Sequence, residues 1–119
     1  MKKEYKFFVY ILSNYNRTVY YTGVTNNLIR RLIEHQHGLG SEFTRKYNLN
    51  DLLYYEEYKY SIEAINREKE IKGWKRDKKL DLIKKVNSGL IDLSKQLFKD
   101  YGIDDEEVGL FAKELALKR

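Results

Sequence analysis

After a polar start, the chain runs through two stretches in which β-branched and aromatic residues alternate with smaller or polar ones. Residues 5–12 (Tyr-Lys-Phe-Phe-Val-Tyr-Ile-Leu) and 18–24 (Thr-Val-Tyr-Tyr-Thr-Gly-Val) flank the polar segment Ser13-Asn14-Tyr15-Asn16-Arg17, the pattern of a β-hairpin. With the loop at Asn14 to Arg17, Ser13 faces Thr18, Leu12 opposes Val19, Tyr10 opposes Tyr21 and Phe8 opposes Gly23. Tyr10 and Tyr21 then share one face of the sheet. Helical periodicity takes over after Thr25, placed as the N-cap of a helix to about Gln36 with Leu28, Ile29, Leu32 and Ile33 as its apolar stripe and Gly38 as its stop. A loop over 38–48 precedes a third strand at about Leu52 to Tyr58.

Ser61 is placed as the cap of a second helix that stops near Gly73. A third opens near Asp77 and runs through Val86, turning Leu80, Ile83 and Val86 inward, and Asn87-Ser88-Gly89 ends it. Two amphipathic pieces follow, at about Asp92 to Tyr101 and Asp104 to Lys118, the second opening on acidic residues that suit a helix N-terminus. The pattern predicts an α+β fold: a small three-stranded antiparallel sheet flanked by helices, in the order ββαβαα, over residues 1–91. Residues 92–119 form a helical extension that packs on this domain or, by self-association, on a second copy.

Composition narrows the chemistry. The chain has 119 residues, enough for one ordinary core, and no apolar run long enough to span a bilayer. No apolar leader segment is visible, so the cytoplasm is the expected location. Without cysteine there are no disulfides, thiolate metal sites or Cys nucleophiles, and any metal is held by oxygen or His. Residues 1–91 carry 18 Lys and Arg against 11 Asp and Glu, and residues 92–119 carry 5 against 7. A basic body rich in tyrosine suits a polyanionic partner.

Several side chains stand out against this framework. Glu68 lies four residues after Ala64 and three before Ile71, on the inward stripe of the second helix, where a carboxylate requires a cation or donors. Pairing with Lys72 at i+4 and ligation of a metal both satisfy it. In the first helix, Arg31 and His35 project side by side, whereas Arg30 pairs with Glu34 as ordinary surface. Tyr10 and Tyr21 are individually ordinary strand residues. Arg45, Lys46 and Tyr47 in the loop, and Lys72, Lys75, Arg76, Lys78 and Lys79 around Gly73, form basic groups suited either to phosphate or to a solvated face.

Taken together, Phe8-Val9-Tyr10, Tyr21-Thr22-Gly23, the run Val24 to His35, the segment Gly38 to Thr44 and the stretch Ala64 to Trp74 resemble the GIY-YIG nuclease domain in its small single-domain branch. Phe8, Val9 and Thr22 depart from the family triplets but keep both tyrosines and Gly23. The resemblance implies hydrolysis of DNA phosphodiester bonds at a site of Tyr10, Tyr21, Arg31, His35 and Glu68. It implies that Glu68 holds Mg²⁺ or Mn²⁺, and that one tyrosine helps deprotonate water while Arg31 offsets charge on the phosphoryl oxygens. Asn87 is the candidate for the family's late asparagine. Three functions are compatible with this reading: a metal-dependent endonuclease of DNA repair or processing; a nucleic-acid-binding module that cuts little; and an interaction domain acting through the C-terminal helices.

Overall fold

The computed structural model describes residues 6–118, and the predicted start of the first strand at Tyr5 lies outside them. Three strands, β1 (Phe7–Ser13), β2 (Tyr20–Thr25) and β3 (Asp51–Tyr58), form an antiparallel sheet in the order β2-β1-β3. The helices are α1 (Leu28–Gln36), α2 (Glu42–Lys46), α3 (Ser61–Lys72), α4 (Arg76–Lys84), α5 (Ser94–Asp100) and α6 (Asp105–Leu117). The α+β fold and its ββαβαα order are as the pattern predicts, with α2 added inside the expected loop. None of the helices among the described residues is long and apolar enough to cross a membrane.

Central β1 is buried on both faces, and its alternation divides the core into two layers. Phe8, Tyr10 and Leu12 pack with Leu28, Leu32 and Ile33 of α1, Leu97 and Phe98 of α5, and Val108, Ala112 and Leu115 of α6. Val9 and Ile11 face the other way, onto Ala64 and Ile71 of α3 and Ile83 of α4. A bulge between Ile11 and Leu12 sets one extra β3 residue into the ladder, which is why the neighbours Leu53 and Tyr54 both enter the second layer. The C-terminal helices therefore pack on this chain's own α1 and sheet. Leu93 N donates to Leu52 O at 2.8 Å and Gln36 Nε2 to Ser94 Oγ at 3.0 Å, tying them to β3 and α1.

Local details depart from the pattern in four places. The hairpin register is shifted by two residues, so that Tyr10 pairs with Gly23, Leu12 with Tyr21 and Phe8 with Thr25. The cause is a longer turn. Asn14 Oδ1 accepts from the amides of Thr18 and Val19, Ser13 Oγ donates to Val19 O, and Arg17 takes a left-handed φ of 57°. An even shift preserves the face, so Tyr10 and Tyr21 remain on one side as diagonal neighbours. The N-cap of α1 is Asn27, whose side chain accepts from Arg30 N, while Thr25 Oγ1 accepts from Asn27 N one step earlier. Ser61 is the first residue of α3 and Tyr60 stands at the cap without a side-chain bond. Val86 is exposed rather than inward, because α4 ends at Lys84 before the stripe reaches it.

Candidate active site

Tyr10 lies in the centre of the sheet with 2% of its surface exposed. Its ring crosses Gly23 on the neighbouring strand, where a Cβ would stand 2.4 Å from both Cζ and Oη. Glycine is therefore required by the tyrosine opposite it, not by a turn. Half-buried Tyr21 completes an aromatic triangle: the ring centroids of Tyr10 and Tyr21 are 6.2 Å apart, those of Tyr10 and His35 6.0 Å, and those of Tyr21 and His35 5.9 Å.

His35 enters this triangle from the last turn of α1, and α2 holds it there. Ser41 caps α2 by accepting from Thr44 N, which presents the Thr44 hydroxyl to His35 Nδ1 at 3.1 Å. Thr44 Oγ1 also donates to Ser41 O at 3.0 Å. With its single proton used there, it accepts from His35 Nδ1–H, and Nε2 is left as the acceptor for the Tyr10 hydroxyl at 3.3 Å. Gly40 leaves the space for this arrangement, since a Cβ would stand 2.4 Å from His35 Nδ1 and 2.8 Å from Thr44 Oγ1.

Electrostatics fix the protonation states. Burial, with the Arg31 charge nearby, holds the His35 imidazole down at about 4, so it is neutral at physiological pH. Burial and the adjacent Tyr21 phenol push the Tyr10 hydroxyl well above the ordinary phenol range. Tyr10 is thus a neutral donor to a neutral imidazole. Arg31 keeps 42% of its side chain exposed, and its Nη1 is 3.7 Å from Glu34 Oε1. Arg30 joins the same carboxylate at 4.0 Å, but Glu34 is buried and shared by both arginines, so the Arg30–Glu34 contact is not the ordinary solvated surface pair expected from the sequence.

Glu68 sits on the inward stripe of α3 with 9% exposure. Its Oε1 is 2.9 Å from Lys72 Nζ, and the same ammonium lies 5.8 Å from the Tyr21 ring centroid. The hydrogen bond to Glu68 raises the Lys72 pKa. Lys72 therefore links the glutamate to the tyrosines. The donor set fits a hard divalent cation: one nearly buried carboxylate suits Mg²⁺, which keeps most of its water shell. Among the described residues no group of three His, Asp or Glu gathers around a common point, so such an ion would rest on Glu68 and water. Lys72, with 53% of its side chain exposed, now holds that carboxylate at 2.9 Å, and an ion on Glu68 would have to displace it.

The basic residues divide. Phe43 and Tyr47 extend the aromatic triangle outward, with Tyr21–Phe43 at 6.3 Å, Phe43–Tyr47 at 4.9 Å and Lys46 Nζ 5.3 Å from the Tyr47 ring. Arg45 is exposed on the same short helix. Arg76 and Lys79 line a pocket beside β2. Lys78 instead lies 4.4 Å from the Trp74 ring centroid, which Arg67 also approaches at 5.1 Å, and Lys75 is an exposed residue at the α4 N-cap. Asn87 lies apart: its amide donates to Leu53 O and Ile91 O and accepts from Ile91 N, clamping β3 to the turn after α4. Sequence reasoning gave no role to Phe43, Thr44 or Gly40. All three lie in the segment Gly38 to Thr44 that carries the resemblance, and the Ser41-x-x-Thr44 spacing marks a helix cap there rather than a partner for His35.

The profile of the GIY-YIG catalytic domain matches residues 6–81. A UPF0213 protein of Clostridium perfringens is 41% identical over 76 residues, covering 64% of this chain and 81% of that one. One from Staphylococcus epidermidis is 38% identical over 78 residues, covering 66% and 94%. One from Natronomonas pharaonis is 40% identical over 76 residues, covering 64% and 88%. Among solved structures, the solution NMR structure of a UPF0213 protein from Bacillus halodurans is 29% identical with a TM-score of 0.49, covering 76% of this chain and 95% of that one.

Proposed function

Since the chain belongs to the GIY-YIG catalytic domain family, a nuclease superfamily, we propose that it is an endonuclease that hydrolyses DNA phosphodiester bonds with one divalent metal ion, working on nucleic acid in the cytoplasm. The observation that carries this is the grouping of Tyr10, Tyr21 and His35 within about 6 Å of one another, with the Glu68–Lys72 pair against Tyr21.

Each side chain has a distinct task in that reaction. Tyr21, the more accessible phenol, takes the proton of the attacking water. It accepts that proton in its phenolate form, which is about 0.1% of a free phenol at pH 7. Tyr10 serves a different end, because its raised pKa disfavours the phenolate. Its proton is committed to His35 Nε2, so its oxygen lone pairs can only accept a hydrogen bond and orient the attacking water. Arg31, half exposed and only loosely paired, offsets the charge that builds on the phosphoryl oxygens as the water oxygen bonds to phosphorus and the strand oxygen leaves. A Mg²⁺ or Mn²⁺ ion on Glu68 would add Lewis-acid stabilisation of the same oxygens. Arg45, Lys46 and Tyr47 at α2 would grip the flanking strand through phosphate and stacking.

The test is cleavage of linear, nicked, single-stranded and branched DNA by the purified protein with Mg²⁺, Mn²⁺ or EDTA, beside Glu68→Ala and Arg31→Ala. Metal-dependent cutting by the wild type, lost in both variants, is expected. No cleavage of any substrate overturns the enzyme reading. Salt-sensitive binding without cleavage would instead favour a binding module, a reading supported by the Lys72 ammonium lying where the metal would sit.

A further inference from the structure

Beside the free edge of β2, outside the aromatic triangle, lies a pocket of about 260 Å³ lined by Thr18, Val19, Tyr20, Arg76 and Lys79. Its charged lining is cationic only. Arg76 is held in place at two points: its guanidinium donates to Thr18 O and lies 5.7 Å from the Tyr20 ring centroid. The Tyr20 ring is fixed in turn by its hydroxyl, which donates to Arg17 O at 2.7 Å. Lys79 is half-buried and forms no ion pair among the described residues. Burial and the charge of Lys72 push its pKa down, and whereas Lys72 has the Glu68 carboxylate at 2.9 Å, Lys79 has no such counter-ion among the described residues. Such an arrangement is unfavourable alone and becomes favourable when an anion enters.

We propose that this pocket is a phosphate-binding subsite, formed by Arg76 and Lys79, that holds a backbone phosphate flanking the one presented to Tyr21. Lys72 marks the connection, since its ammonium stands at the Tyr21 ring on one side and influences Lys79 on the other. The substrate strand then leaves the cleft along the β2 edge, over Tyr20, rather than across Trp74, where Lys78 lies 4.4 Å from the ring centroid. The inference rests on the nuclease reading for the source of the phosphate, but the pocket's affinity for phosphate can be tested without it.

Two arms separate the possibilities. In the first, amide chemical shifts of the metal-free protein are followed during titration with inorganic phosphate at constant ionic strength. Saturable shifts at Thr18, Val19 and Tyr20 are expected in the wild type and in Lys84→Gln, an exposed charge-matched control, with at least about five-fold weaker binding in Lys79→Gln and Arg76→Gln. Lys79→Gln leaves the Arg76–Thr18 contact in place, so its effect is not one of a loosened hairpin turn. Absence of saturation, or equal shifts in all four proteins, overturns the subsite. In the second arm, DNA binding in EDTA is measured against salt. The slope of log affinity against log salt should fall by about 0.7–0.9 in Lys79→Gln and stay at the wild-type value in Lys84→Gln. Phosphate binding with an unchanged slope overturns the backbone assignment and leaves free phosphate as the ligand. Phosphate binding with no DNA binding or cleavage by any protein removes the nuclease reading while the pocket stands.

Discussion

Replacing Gly23 by alanine tests the central packing claim, that Tyr10 reaches His35 only because the strand opposite lacks a side chain. The new Cβ would stand 2.4 Å from Cζ and Oη of Tyr10, whereas ordinary carbon contacts begin at about 3.4 Å. The ring must therefore move by about 1 Å. It has little room, being 2% exposed and bounded by Tyr21 and His35. Overpacking of this kind costs about 1–3 kcal/mol. Displacement also opens the 3.3 Å Tyr10–His35 bond, leaving buried polar groups unmet at a further cost of about 1–3 kcal/mol. Urea denaturation should show Gly23→Ala destabilised by roughly 2–6 kcal/mol, and the ¹⁵N shifts of the His35 ring should report loss of the acceptor role of Nε2. A double-mutant cycle with Tyr10→Leu isolates the clash, because the shorter side chain vacates the space over residue 23 and the two effects should be strongly non-additive. If Gly23→Ala unfolds within about 0.5 kcal/mol of wild type, or the two substitutions add, then Tyr10 is not held as described.

Four further outcomes follow from the same geometry. His35 has a folded pKa of about 4 against about 6.5 unfolded, so the unfolded chain binds the extra proton first. The stability this represents is present above pH 6.5 and is lost as pH falls towards 4, by on the order of 3 kcal/mol; urea midpoints across that window should fall less in His35→Gln. Thr22 Oγ1 is the one buried side-chain polar atom without a partner among the described residues. Thr22→Val should raise stability by about 1 kcal/mol in the same assay, and a loss would mean the hydroxyl has a partner after all. Ending the chain after residue 91 removes Leu97, Phe98, Val108, Ala112 and Leu115 from the first core layer. At about 1.5–3 kcal/mol for each large side chain the loss rivals the whole stability of a domain, and circular dichroism should show no cooperative transition. Lys72→Gln frees the Glu68 carboxylate, so Mn²⁺ titration followed by electron paramagnetic resonance should show binding about two- to five-fold tighter than wild type; weaker binding would place the ion elsewhere.

Much of the framework was legible along the chain because strand and helix periods are set by neighbours a few residues apart. The third strand, predicted from Leu52 to Tyr58, spans Asp51–Tyr58, and Gly38, with a φ of 72°, and Gly73 stand where helices stop. Tyr10 and Tyr21 share a face because a period of two survives any even slip. The size of that slip was not legible, since it depends on the Asn14 side chain bonding two amides across the turn. The position of Glu68 on an apolar stripe and the pairing of Lys72 with it were both visible as helical neighbours.

What only the tertiary structure decided is which distant groups meet. Tyr10 and His35 are 25 residues apart in the chain, Thr44 reaches His35 from a helix that the loop-like sequence concealed, and Lys72 meets Tyr21 across two elements. The C-terminal helices carried an apolar face with no partner written beside it, and folding laid that face on α1 and the sheet. Local dihedral and amphipathic preferences determine elements. The contacts between them come from burying all of those faces at once, which no segment encodes alone.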